Sequence, residues 1–138
     1  MIFQVTYLSG EYKVKGYLGL PPGLTSDVRD IRRAIQAHCG DSVADTGKRG
    51  DYPVRRITSP LPARPEQTRQ TTYPGFLYCR GGFGRVGAVR LHWIDSFAKR
   101  GYVVFAPCYR GNEGGEGRDE FGGADREDVH AAFRLLRS

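Results

Sequence analysis

The sequence predicts an α/β protein whose C-terminal half is built on parallel strands, and three features carry that expectation. PGFLYC (74–79) and YVVFAPCY (102–109) are unbroken apolar runs of strand length, the pattern of strands buried on both faces. Between them Val89, Trp93, Ile94, Phe97 and Ala98 recur at helical spacing, so the order is strand, helix, strand, a right-handed crossover. The N-terminus instead holds two β-rich runs, IFQVTYL (2–8) and YKVKGYLGL (12–20), separated by Ser9, Gly10 and Glu11, which predicts an antiparallel hairpin.

In chain order, the second of these runs alternates Tyr12, Val14 and Gly16 with Lys13 and Lys15, placing one face outward and the hairpin at a sheet edge. Pro21, Pro22 and Gly23 then stop the strand. From Asp27 to about Cys39, Val28, Ile31, Ala34, Ile35 and His38 define a helical stripe; Thr25 or Ser26 can cap its start and Gly40 its end. Residues 40–72 are the least regular: VRRITSPL is read as a short strand, and Pro60, Pro62 and Pro65 with EQTRQTT as a connecting loop. After the 74–79 strand, the next helix closes with Lys99 and Arg100 in its last turn and Gly101 at its end. The last helix opens on Asp125, Glu127 and Asp128, which complement its dipole, and Val129, Ala132, Phe133 and Leu136 form the expected buried stripe.

At 138 residues the chain is the size of one domain. No apolar run approaches the roughly 20 residues of a membrane helix, and MIFQVTY lacks the basic and apolar regions of a signal peptide. Cys39, Cys79 and Cys108 are too few and too unevenly spaced for a disulfide framework or zinc site. A reducing cytoplasm is the expected compartment, with no metal and no cofactor. The net charge of +6 is scattered over Arg29, Arg32, Arg33, Lys48, Arg49, Arg55, Arg56, Arg64 and Arg69, a solvated basic face rather than a nucleic-acid footprint.

Chemistry is expected where the 74–79 strand runs into Arg80, Gly81 and Gly82. A glycine loop at the carboxyl edge of a parallel sheet presents backbone N–H groups to a ligand, and the missing Cβ atoms permit close approach. One reading is an oxyanion hole. Another is a dinucleotide site, since Gly82, Gly84 and Gly87 spell G-x-G-x-x-G. The following strand ends without the acidic residue that would bind a ribose hydroxyl, although Arg110 would suit the 2′-phosphate of NADP. A third is a small basic nucleic-acid module using Arg80-Gly81-Gly82-Phe83-Gly84-Arg85, but a single copy between a strand and a helix differs from repeated, disordered RGG segments.

PGFLYCRGGFG followed by a helix, then FAKRGYVVFAPCYRGNEGGEG, then FGGADREDV resembles the prolyl oligopeptidase-like branch of the α/β-hydrolases. Tyr109, Arg110 and Gly111 match its YRG sequence, Gly122 to Val129 its D-x-x-D-V helix entry, and Gly81 and Gly82 its paired glycines. The likeness covers about 73–137 well and the hairpin loosely. It implies the N-terminal half of an α/β-hydrolase sheet: an N-terminal hairpin (1–23), a helical and loop insertion (24–72) and a βαβα core with the oxyanion loop (73–138). It further implies a serine peptidase or esterase acting on a peptide or ester substrate, with Gly82 and Phe83 as backbone donors to the oxyanion. Arg80 stands where the family more often has histidine or tyrosine; it can donate to an oxyanion or substrate carboxylate, or pair with Asp119 or Glu120.

A serine hydrolase also needs a G-x-S-x-G turn, an acid and a histidine. None of Ser9, Ser26, Ser59, Ser96 or Ser138 has that setting. Ser42, in Gly40-Asp41-Ser42-Val43-Ala44, follows a helix where the motif requires a strand. His38, His92 and His130 all fall on helices. Cys79 and Cys108, at the ends of neighbouring strands, read as small buried thiols. The expectation is therefore a truncated or partial hydrolase, inactive alone, contributing part of an oxyanion hole and no catalytic triad.

Overall fold

A computed structural model describes residues 1–43, 53–60, 62 and 72–138. Lys48, Arg49, Arg64, Arg69, Pro65 and most of EQTRQTT lie outside the described residues. The elements are β1 (Ile2–Ser9), β2 (Tyr12–Gly19), α1 (Val28–Cys39), a 3₁₀ turn (Asp41–Val43), β3 (Val54–Arg56), β4 (Gly75–Leu77), α2 (Leu91–Ala98), β5 (Val103–Pro107) and α3 (Arg126–Arg137). The strands form one mixed sheet in the order β3-β1-β2-β5-β4. β1 and β2 pair antiparallel along their whole length, Ile2 opposite Gly19 and Ser9 opposite Tyr12. β2 pairs antiparallel with β5, and β4 pairs parallel with β5.

The hairpin is interior to the sheet and not at its edge. β3, drawn from the irregular segment, pairs with β1 through Phe3–Arg56, Gln4–Arg55 and Val5–Val54, and β5 covers the other side of β2. The lysine alternation in β2 misleads because Lys15 donates to Thr6, its cross-strand partner, at Oγ1 2.6 Å away, so its ammonium is satisfied within the sheet.

Period-two alternation sorts the side chains into two cores. Phe3, Val5 and Tyr7 of β1 and Phe105 of β5 join Ile35 of α1 and Ala131 and Ala132 of α3 on one face. Ile2, Tyr17, Val104 and Ala106 meet Ile94 and Ala98 of α2 on the other. The result is three layers, helices on both faces of the sheet. α1 is capped by Asp27, not Thr25 or Ser26: its carboxylate accepts the Asp30 N–H at 2.9 Å, and the Gly40 N–H closes the other end on Gln36 O.

In α3 the buried positions are Asp128, Ala131 and Ala132, whereas Phe133, expected inside, is 48% exposed. Ala132 and the half-buried Leu136 keep the expected stripe against the core, and a fully buried carboxylate joins it because it has a partner waiting. Asp128 receives the Arg110 N–H at 2.7 Å, Arg110 Nε at 3.1 Å and Arg110 Nη2 at 2.8 Å. Its own carbonyl accepts the Tyr7 hydroxyl at 3.0 Å. Arg110 Nη2 also reaches Ser9 Oγ at 3.4 Å, and the guanidinium lies 4.7 Å from the Tyr12 ring centre.

Removing one partner of such a pair leaves a buried charge uncompensated. Asp128→Asn is expected to lower unfolding free energy by about 3–5 kcal/mol, while Asp30→Asn, from an exposed 3.6 Å pair with Arg33, changes it by less than about 1 kcal/mol; urea titration of both variants checks the contrast. Burial also holds Tyr7, Tyr17 and Cys108 neutral, raising all three pKa values, Tyr17 to about 12. Unfolding releases these groups to titrate at ordinary values. The stability they carry is therefore whole below about pH 8.5, the ordinary thiol value, and is lost as pH climbs toward the raised ones. Urea midpoints should fall steadily between about pH 9 and 12, and Tyr17→Phe should make the fall shallower.

Candidate active-site loop

β4 and β5 run parallel and end side by side, so the segments leaving them, Tyr78–Gly87 and Cys108–Asp125, meet at one edge of the sheet. Between them opens a cleft of about 280 Å³ bordered by Gly81, Gly82, Tyr109, Phe121, Gly122 and Asp125, among others. Two of these residues hold left-handed backbone despite carrying side chains, Tyr109 at φ 65° and Phe121 at φ 54°. Such conformations persist only where the surroundings fix them: the Phe121 N–H donates to Asp119 Oδ1 at 3.1 Å, and the Tyr109 ring lies 4.9 Å from the Arg80 guanidinium.

Arg80 is buried, and of its two expected roles the geometry supplies the ion pair. Nη2 binds Asp119 Oδ2 at 2.7 Å and Cys108 O at 3.2 Å, and Nη1 binds Gly82 O at 2.9 Å. Burial alone would raise the Asp119 pKa, but hydrogen bonds from Asn112, the Phe121 N–H and Arg80 outweigh it and hold the carboxyl below its ordinary value. The loop folds back on the guanidinium. Gly82 sits at φ 84°, and a Cβ on Gly87 would overlap the Arg80 guanidinium and lie 2.5 Å from the Gly82 carbonyl carbon. The Gly87 N–H closes the turn on Phe83 O at 3.2 Å. Among the described residues, the N–H groups of Gly82 and Phe83 have no acceptor, and both residues are exposed.

Gly82, Gly84 and Gly87 do not build a dinucleotide cradle. That fingerprint needs a helix opening on the glycines, whereas α2 begins only at Leu91 and residues 84–87 are spent on a tight turn. His38, His92 and His130 are exposed on α1, α2 and α3, and none borders the cleft. Ser42 lies in the 3₁₀ turn after α1; Ser9, at the end of β1, is buried and committed to Arg110. Cys108 is buried as expected but Cys79 is exposed, and both are free thiols. The Tyr109 hydroxyl is pushed up to about 12 by burial and by neighbouring Cys79. Among the described residues no cluster of three or more His, Cys, Asp or Glu is arranged to hold a metal ion, and no helix is long and apolar enough to cross a membrane. The role of Asp119 as the counter-charge of Arg80 was one of two acids weighed from the sequence. The role of Asn112, which donates to Asp119 Oδ2 at 2.8 Å, was missed, because nothing in NEGGEG signals a side chain turned inward.

No family model matches the chain, and no solved structure does. Among curated proteins, it is 58% identical over 76 residues to the uncharacterized peptidase YtmA of Bacillus subtilis (strain 168), a match covering 55% of this chain and 28% of that relative. The chain thus matches under a third of the relative's length.

Space around the glycines predicts which of them tolerates a side chain. A Cβ at Gly81 meets nothing within 4 Å, so Gly81→Ala should melt within a few degrees of the parent. Gly87→Ala should cost about 1–3 kcal/mol, the usual penalty for overpacking, and differential scanning calorimetry on the two variants distinguishes them.

Proposed function

We propose that this chain supplies part of the active site of a serine peptidase of α/β-hydrolase type, with the Gly81–Phe83 loop as the backbone half of its oxyanion hole. The observation that carries the reading is the pair of N–H groups at Gly82 and Phe83 that have no acceptor among the described residues, on an exposed loop whose Gly82 borders the cleft at the carboxyl edge of two parallel strands. The strand order supports it. An antiparallel hairpin runs into β5 and then β4, so the strand bearing the loop lies outside its successor, as the fourth and third strands of that fold are arranged. The peptidase-named relative supports the chemistry.

In the proposed reaction a serine attacks a peptide or ester carbonyl and a histidine takes its proton. The carbonyl oxygen gains negative charge as the tetrahedral intermediate forms, and the Gly82 and Phe83 N–H groups stabilise that charge. Backbone donors fixed before the reaction need no reorganisation as the charge develops, which is the source of their effect. The 138 residues contain no G-x-S-x-G sequence, so nucleophile, acid and histidine are assigned to no residue here. Arg80 is assigned no direct contact with the oxyanion, because its side chain is buried and turned onto Asp119, Cys108 O and Gly82 O.

Two measurements test this. The chain by itself should not hydrolyse p-nitrophenyl acetate above a buffer control. With its matching 76 residues exchanged into the Bacillus protein for their counterpart, the hybrid should support cleavage of peptidyl p-nitroanilides. There Phe83→Pro, which deletes the N–H itself, should lower kcat by ~10²–10³, with Phe83→Leu close to the parent. Equal activity of the proline and leucine variants would remove Phe83 from the oxyanion hole.

A further inference from the structure

We propose that Arg80 is a positioning residue that aims the Phe83 N–H at the reacting carbonyl oxygen, a role that rests on the peptidase reading above. A trans peptide unit is planar, with its C=O and N–H pointing in opposite directions. Gly82 O and the Phe83 N–H belong to one such unit, and Arg80 Nη1 holds that oxygen at 2.9 Å. The N–H must therefore face away from the guanidinium. Without a Cβ on Gly82, whose φ is 84°, local sterics do little to stop this unit from turning over. The hydrogen bond from Arg80 provides the restraint that the backbone lacks.

The guanidinium can act as a fixed reference because its other edges are occupied. Nη2 binds Asp119 Oδ2 at 2.7 Å and Cys108 O at 3.2 Å, while Nε lies 3.4 Å from Cys108 O. Asp119 is in turn held by Asn112 Nδ2 at 2.8 Å and by the Phe121 N–H at 3.1 Å. A planar fork with five donors can serve the carboxylate and both carbonyls at once, whereas a lysine ammonium is a single point on a flexible stem. Arginine where the resembled family has histidine or tyrosine thus replaces a side chain that would touch the oxyanion with one that orients the main chain.

The test uses Arg80→Lys and the double variant Arg80→Met/Asp119→Met, since losing one partner alone would strand a buried charge. In the isolated 138-residue chain, carbon-13 and nitrogen-15 NMR should show the Gly82 carbonyl moving upfield and the Phe83 amide broadening or splitting in both variants, with neighbouring β5 signals unmoved. In the Bacillus graft, kcat should fall by ~10² with KM within about twofold, the signature of an interaction made only in the transition state, and Arg80→Lys should not restore it. A purely structural role would lower stability without this split. Unchanged Gly82 and Phe83 signals, or an unchanged kcat, would overturn the proposal. A parent graft without activity would overturn the peptidase reading instead, and the NMR comparison would still decide whether Arg80 orients the peptide.

Discussion

The buried pair between Arg110 and Asp128 is the constraint on which the rest of the molecule depends. Arg110 leaves the end of β5, and Asp128 sits in the first turn of α3. Three nitrogens of one residue donating to the carboxylate of the other close the intervening segment into a loop. The same two residues reach the N-terminal hairpin, through Ser9, the Tyr12 ring and the Tyr7 hydroxyl. Tyr7 itself packs edge-on against Phe105 with ring centres 5.4 Å apart. Hairpin, central strand and last helix thus share one polar node inside an apolar core. Desolvating two charges is costly, and the node is tolerable because each carboxylate oxygen has a donor in place.

A second arginine–aspartate pair stands on the first. With both ends of the 110–128 loop fixed, Asp119 is held where Arg80 can meet it, and Arg80 carries the glycine loop from β4. The coupling is sequential: the deeper pair sets the position of a loop, the shallower one transfers that position to Gly82 and Phe83. Both lie within a few residues of the left-handed Tyr109 and Phe121, backbone strain that the two pairs together can hold.

Much of this was legible in the sequence, for identifiable reasons. Unbroken apolar runs gave β5 buried and β4 in place, although β4 is only Gly75–Leu77, at the sheet edge and not buried on both faces; the short Ser9-Gly10-Glu11 link gave the hairpin, and helical spacing with Gly40 gave α1. The misreadings share a cause: each residue was judged by its own polarity, without the partner that changes its meaning. Asp128 was read as a dipole-facing charge at a helix start and is instead buried on Arg110. Phe133 was placed in the core because it is apolar, yet the small Ala131 and Ala132 let α3 lie close to the sheet and turn Phe133 outward. Lysine alternation placed β2 at an edge, although β5, the strand that covers it, arrives from the far end of the chain. The glycine loop was found because its signal is local, while the residues that fix it, Asn112 and Asp119, are brought in by long-range folding.

The neutralisation of Arg80 by Asp119 bears on how such a loop would stabilise an anion. An uncompensated guanidinium beneath the glycines would attract negative charge at long range, and its effect would weaken with salt. A paired one leaves little net charge, so the attraction falls to the dipoles of the fixed N–H groups, which act at contact distance. An anion that fits is then distinguished from one that does not by geometry more than by charge. A substrate carboxylate approaching the same edge would gain little from Arg80, which is buried and already paired with Asp119. The developing oxygen of a tetrahedral intermediate, placed against the Phe83 N–H, would gain the hydrogen bond in full. The neutral carbonyl oxygen from which it grows would gain less from the same N–H, and that difference between ground state and transition state is what a catalytic loop would require.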